Sequence, residues 1–100
     1  MPYISQDKRA MLEPALTKIF DALRQIQCDF PDDSFEGTMN YLFTTLLVRL
    51  YTLNNYDEHN RVMGLLDCVK NEYYRRRVTP YERNKAVENG DVYPDGTPLI

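Results

Sequence analysis

The chain has few of the residues from which catalytic and metal centres are commonly built. It contains one histidine, two cysteines and no tryptophan. Nucleophilic catalysis needs a base beside the nucleophile, and a metal site needs clustered ligands. His59, Cys28 and Cys68 show neither pattern, and no phosphate-binding, dinucleotide-binding or hydrolase motif is present. We therefore expect a protein that is not an enzyme and has no metal or cofactor, with His59 on the surface. An enzyme built from carboxylates converging in a helical bundle is the alternative.

Long apolar runs are also missing. No run approaches the ~18 residues of a membrane span, and the opening sequence MPYISQDKR has no apolar leader segment. Two cysteines do not make a disulfide framework. Each lies within an apolar helical pattern, so we expect two buried free thiols in a reducing cytoplasm. The net charge of −3 gives no global basic signal, so neither a membrane nor DNA or RNA is an expected partner.

Apolar residues recur at helical spacing, and no alternating strand pattern is present. The first helix is predicted to begin at Pro14, after a separate short turn or helix over residues 5–11. The second opens with Asp33 and Glu36 at capping-box spacing. Asn54-Asn55 is a turn signal after it, and the third runs from near Asp57 to about Val78. One hundred residues fit one domain, 1–100. Short connections favour antiparallel neighbours, so the prediction is an all-α, small antiparallel helical bundle of three long helices.

A short C-terminal helix and an extended tail complete the predicted fold. The tetrad that begins with Thr79 and Pro80 offers an N-cap, a first-turn proline and a capping-box glutamate, which predicts a new helix there. Asn89-Gly90 is a helix stop signal, and residues from about 91 to 100 are predicted to be extended or mobile. Gly64, in the middle of the third helix, is expected at a close helix crossing.

The second predicted helix is apolar over more than one face. Phe35, Met39 and Leu42 mark its main buried stripe, whereas Tyr41 and Val48 lie off that stripe. A helix that is apolar nearly all round is either central in a core or covered by another chain. We therefore expect a homo-oligomer, for which a dimer is the default closed assembly.

Charge is distributed unevenly on this acidic protein. Residues 70–85 contain six positive side chains and two negative ones. Arginine forms paired hydrogen bonds with phosphate, tyrosine offers a flat surface for a base, and a helix N-terminus attracts anions. These properties favour a binding site for a nucleotide-like small molecule. Its candidate residues are Tyr73, Arg75, Arg76, Arg77, Thr79, Tyr81, Lys85 and Tyr93, with Glu36 and Asn40 from the second helix.

Each part of this candidate site has a simpler interpretation. The arginines can form a solvated basic helix end that offsets the helix dipole, with the tyrosines packed at a subunit interface. Glu36 can cap its own helix, or it can pair with Arg76 or Arg77 and orient that side chain. A protein–protein inhibitor or adaptor is the alternative function, because the broad apolar surface of the second helix and eight tyrosines suit an interface.

Three stretches of the sequence resemble a family of small uncharacterised proteins found in bacteriophages and prokaryotic genomes. They are the opening Met1-Pro2-Tyr3-Ile4, the central Glu36-Gly37-x-x-Asn40-Tyr41, and the closing Glu72-x-Tyr74-Arg75-Arg76-x-x-x-Pro80-Tyr81-Glu82-x-x-Lys85-x-x-Glu88-Asn89-Gly90-Asp91-Val92-Tyr93. The resemblance implies a phage-type origin and transfers no activity. Small non-enzymatic phage proteins often counter host defence, either by blocking a host protein or as oligomeric sponges for nucleotide signals in the host cytoplasm.

Overall fold

The computed structural model describes residues 2–93, which are helical over most of their length and contain no strand. The elements are α1 (Gln6–Asp29), α2 (Phe35–Leu50), α3 (Tyr56–Tyr73), a π turn (Tyr74–Val78) and α4 (Thr79–Asn89). The predicted all-α class is confirmed. The backbone forms an N-terminal unit (Met1–Thr52) and a C-terminal unit (Leu53–Ile100). Each is described on its own, and the single-domain organisation and the bundle arrangement stay predictions. Of the predicted tail, residues 94–100 lie outside the described part.

Helix α1 starts earlier than the sequence indicated. Ser5 is its N-cap and accepts a hydrogen bond from the Lys8 backbone N–H at 3.4 Å, and Pro14 lies inside the helix. The predicted separate short helix, with Pro14 in the first turn of the next one, is therefore wrong. The turns ahead of Pro14 remain helical because Ser5 caps them and Asp7 lies at the positive helix end. Pro14 removes only one backbone donor from a helix of 24 residues.

Helices α1 and α2 form an antiparallel pair. One groove joins the middle of α1, at Leu16 and Phe20, to the later α2 residues Leu42 and Phe43. Another joins the end of α1, at Ile26, to the start of α2 at Phe35 and Thr38. Late α1 therefore faces early α2, as in a helical hairpin. The side chains along this seam are only partly covered, and no apolar side chain among residues 2–93 is fully buried.

The start of α2 differs by one residue from the prediction. Ser34 is the N-cap, and its side chain caps no backbone N–H. Instead the Ser34 hydroxyl donates to the Glu36 carboxylate at 3.3 Å. The predicted capping box of Asp33 and Glu36 is therefore wrong. With the helix beginning at Phe35, Glu36 is its second residue rather than the third, where a capping-box glutamate belongs.

The turn before α3 is built as the sequence indicated. Asn54 has a positive φ of 52°, and the Asn55 side chain caps α3 by accepting from the Glu58 N–H at 2.8 Å. The Glu58 carboxylate accepts in return from the Asn54 N–H at 3.1 Å, and Glu58 is the one buried side chain among residues 2–93. The His59 ring is exposed, which confirms its predicted surface position. It lies 3.0 Å from the Asn54 side-chain oxygen.

From Tyr56 to Asn89 the backbone forms one continuous, bent helix rather than two. Val78 and Thr79 both have right-handed helical dihedrals, and no side chain caps α4. The Thr79 N–H donates to the Tyr74 carbonyl, five residues back, which is the π-helical pattern. The predicted break and new N-terminus at Thr79 and Pro80 are therefore wrong. The π turn inserts one residue into the helix just ahead of Pro80. Pro80 has no backbone N–H, so it cannot donate a helical hydrogen bond at this point.

Other local predictions have mixed outcomes. Gly90 ends α4 with φ of 81°, which confirms the stop signal. Nothing lies within 4 Å of a Cβ placed on Gly64, so the expected close crossing is absent from the described structure.

Cys28 and Cys68 are free, but both are exposed, so their predicted burial is wrong. The physical reason is that a two-helix hairpin and a single bent helix each leave most helical faces uncovered. Within residues 2–93, none of the helices is long and apolar enough to cross a bilayer.

Candidate ligand-binding site

The π turn sets which side chains of the basic segment share a face. In a regular α-helix, residues eight apart differ by about 80° around the axis. One inserted residue removes this offset, and Tyr74 accordingly reaches Glu82, eight residues on. By the same register we infer that Tyr73 and Tyr81 share a face, with Arg77 between them at four-residue spacing. Lys85 follows one turn later, with its ammonium 5.7 Å from the centre of the Tyr81 ring. We call Tyr73, Arg77, Tyr81 and Lys85 the π-turn stripe.

The stripe is open to solvent. Tyr73 and Tyr81 are 63% and 62% exposed, so both rings offer a free face. Arg77 is exposed and makes no hydrogen bond or ion pair with any residue in the described range. Lys85 also contacts Glu88 at 3.3 Å, a pair that water screens strongly because both side chains are about half exposed. The stripe therefore presents one unneutralised guanidinium between two aromatic rings.

Arg75 and Arg76 have a different environment from Arg77. The Arg75 guanidinium donates to both Glu72 carboxylate oxygens, at 2.9 and 3.0 Å. The Arg76 Nε lies 3.8 Å from the same carboxylate. One acid thus offsets part of the charge of two bases, although exposed pairs contribute little to stability. Arg75 and Arg76 therefore share one acidic partner, whereas Arg77 makes no ion pair within the described residues.

Tyr74 is part of a polar contact that spans the π turn. Its hydroxyl donates to the Glu82 carboxylate at 3.1 and 3.3 Å. The hydrogen bond to Glu82 raises the pKa of Tyr74 above its ordinary value of 10.0, and the nearby negative charge and slight desolvation add to the effect. Both groups lie on one side of the bent helix, so the contact ties α4 to the first residue of the π turn.

The Tyr74 contact predicts a change in alkaline titration. Because the pKa is raised in the folded state, the contact stabilises that state fully below pH 10 and is lost as pH rises through the folded-state pKa. In a spectrophotometric titration of tyrosine, Glu82→Gln should move one tyrosine back toward ordinary behaviour. Tyr74→Phe identifies that tyrosine by removing it. An unchanged titration in Glu82→Gln would contradict the contact.

The remaining candidate residues lie off the stripe. Thr79 is half-buried inside the continuous helix and supplies no N-cap. The expected anion site on a free helix N-terminus is therefore wrong, since no helix begins there. The Tyr93 ring is exposed, and its backbone N–H donates to Asp91 at 3.0 Å.

Glu36 and Asn40 belong to α2 in the N-terminal unit and make local contacts. Glu36 accepts from Ser34, and the Asn40 side-chain oxygen accepts from the Thr44 hydroxyl at 2.9 Å. Their membership in the site stays a prediction. Residues 2–93 include no group of three or more histidine, cysteine or acidic side chains placed to hold a metal ion.

Comparison with protein families gives one match. The family described as Domain of unknown function (DUF6899) matches residues 1–92. The chain belongs to this family. No curated protein and no solved structure matches this chain. The DUF6899 match covers both units and every candidate residue except Tyr93, so the resemblance to a family of unknown function is confirmed and no activity follows from it.

Proposed function

We propose that this DUF6899 protein is a non-enzymatic binding protein that takes a nucleotide-like anion on the π-turn stripe. The observation that carries the proposal is that Arg77 is exposed and makes no ion pair within the described residues, four residues from each of the exposed rings of Tyr73 and Tyr81, on an acidic protein. The proposed protein is a homo-oligomer of phage type. Its role would be to sequester a host-defence nucleotide signal in the host cytoplasm.

The chemistry of the stripe fits a phosphorylated ligand with a flat base. A guanidinium gives two parallel hydrogen bonds to phosphate oxygens and keeps its charge at any physiological pH. A tyrosine ring supports a stacked base, and stacking of this kind contributes about 1–3 kcal/mol per base. Along the helix, Tyr73 and Tyr81 are about 12 Å apart. A ligand with two bases joined by phosphates could therefore contact both rings with its anionic part at Arg77.

A thermal-shift panel tests this proposal. Cyclic dinucleotides, mononucleotides and inorganic phosphate are added separately to the purified protein. A ligand present at 100 times its dissociation constant should stabilise the folded state by about 2.7 kcal/mol, which is readily seen as a higher melting temperature. Inorganic phosphate alone should have little effect because it lacks a base. No response to any nucleotide in the panel would rule the proposal out.

A protein–protein inhibitor or adaptor is the second candidate function. The observation that favours it is the large number of exposed apolar side chains, including Tyr41, Val48 and Leu50 on α2 and Met63 and Val69 on α3. Exposed apolar patches on this scale mark surfaces that associate. Native mass spectrometry of protein purified from host cells distinguishes the candidates. A stoichiometric host polypeptide supports the adaptor, whereas a bound small molecule supports the nucleotide binder.

A further inference from the structure

Two side chains eight residues apart bridge the π turn. The Tyr74 hydroxyl donates to both oxygens of the Glu82 carboxylate, at 3.3 and 3.1 Å. In a regular α-helix these side chains would lie about 80° apart around the axis, and the wider π turn removes this offset. The π register therefore forms the contact, whereas the α register separates its two partners. A contact that is made in only one of two helical registers favours that register.

The proline that follows the turn does not by itself explain the π register. Pro80 donates no backbone hydrogen bond, and in a regular α-helix a proline ring clashes with the carbonyl four residues back. Pro14 nevertheless lies inside α1, where the backbone remains α-helical. A proline in this protein is thus compatible with either register. The residues placed around Pro14 as the bridging pair is placed around Pro80 are Lys8 and Leu16, which cannot form such a hydrogen bond.

The register decides how the aromatic rings of the π-turn stripe are arranged. By residue spacing, the π register places Tyr73 and Tyr81 on one face with Arg77 between them. Both rings are exposed. In the α register Tyr81 would lie about 80° farther around the helix from Tyr73. A ligand with two bases would then stack only one of them while its phosphates contact Arg77.

We propose that the Tyr74–Glu82 hydrogen bond positions the π-turn stripe and thereby selects ligands that carry two bases. The inference rests on the proposed function, because it concerns the same stripe. Tyr74 and Glu82 each follow a stripe tyrosine by one residue, so they lie about 100° around the helix from the stripe. Both are positioning residues, which act on the ligand by holding the helix in the π register.

Nuclear magnetic resonance reads the register without any ligand. Couplings across hydrogen bonds connect an amide nitrogen to the carbonyl that accepts from it. In the parent chain the Thr79 amide should couple to the Tyr74 carbonyl. Tyr74→Phe removes only the hydroxyl and should move this coupling to the carbonyl of residue 75, the α-helical partner. Retention of the coupling to residue 74 in Tyr74→Phe would overturn the proposal.

A graded series separates the hydrogen bond from other effects of substitution. Glu82→Ala removes the acceptor and should behave like Tyr74→Phe. Glu82→Gln keeps a neutral acceptor oxygen and should retain part of the π register, because hydrogen bonds to charged groups are the stronger ones. Tyr56→Phe makes the same chemical change at an exposed tyrosine of α3 and is the matched control. A register change in Tyr56→Phe, or none in Glu82→Ala, would contradict the assignment.

Isothermal titration calorimetry measures the consequence for binding. The probes are the cyclic dinucleotide that gives the largest thermal shift and the mononucleotide of the same base. Tyr74→Phe should lower the affinity for the dinucleotide about 10-fold, because one stacked base is lost. The mononucleotide needs one ring and Arg77 only, so its affinity should stay unchanged. Equal losses for the two probes would overturn the selection of two-base ligands.

The two measurements fail independently of each other. Absence of nucleotide binding by the parent chain overturns the proposed function, and the ligand selection with it, whatever register is found. An unchanged register in Tyr74→Phe overturns the positioning role and leaves nucleotide binding in place. A changed register with an unchanged ratio of the two affinities overturns the selection.

Discussion

Replacing Arg77 by glutamate should weaken nucleotide binding by the protein about 100-fold while leaving its helix content unchanged. Arg77 is the arginine of the run that makes no ion pair within the described residues, and it stands between the two open rings of the π-turn stripe. A hydrogen bond to a charged group contributes about 1.5–3 kcal/mol, and a glutamate adds repulsion to the loss. We therefore expect affinity to fall about 100-fold, measured by isothermal titration calorimetry with the ligand that the thermal-shift panel identifies.

Arg83 supplies a matched control for this variant. Arg83 is an exposed arginine on α4, two residues after Tyr81, and so points away from the stripe. Arg83→Glu makes the same change in net charge as Arg77→Glu. Long-range attraction would weaken equally in both variants, whereas direct contact is lost only in the first. Equal losses of nucleotide affinity in the two variants would show that binding depends on the overall electrostatic field of the protein and not on contacts with the π-turn stripe.

The melting temperature should rise with protein concentration. No apolar side chain in residues 2–93 is fully buried, the N-terminal unit is a two-helix hairpin, and the described part of the C-terminal unit is one bent helix. Isolated helices are marginal in water, and most helical stability in proteins comes from packing of an apolar face. The folded state should therefore depend on association between chains, which mass action strengthens at higher concentration.

The size of this effect can be calculated for a dimer that unfolds to separate chains. A 100-fold increase in concentration stabilises the dimer by about 2.7 kcal/mol. Two chains of 100 residues have an unfolding entropy of about 0.4 kcal/mol per kelvin. The midpoint in differential scanning calorimetry should consequently rise by about 6 °C. A midpoint that stays constant over this range would show that the chain folds without a second copy.

The prediction of helix positions succeeded where side chains act locally. The Asn54-Asn55 turn and the Gly90 stop depend on the conformational preferences of asparagine and glycine, which operate on neighbouring backbone only. The prediction failed at both internal prolines. The sequence indicated helix starts at Pro14 and Pro80, yet both residues lie within continuous helical segments. A proline permits a helix start, but it requires one only when nothing upstream keeps the preceding turns helical.

The site shows the same division between sequence and structure. The sequence by itself determined the all-α class, the exposed basic segment and the residue types available for an anion, because these follow from composition and spacing. Our sequence interpretation did not separate the three arginines, although Glu72 precedes Arg75 and Arg76 by three and four residues, the spacing at which helical side chains meet. Only the folded structure brought side chains eight residues apart, such as Tyr74 and Glu82, onto one side of the helix. The physical reason is the π turn, which adds one residue to the helix and cancels the rotation that regular α-helical spacing would impose.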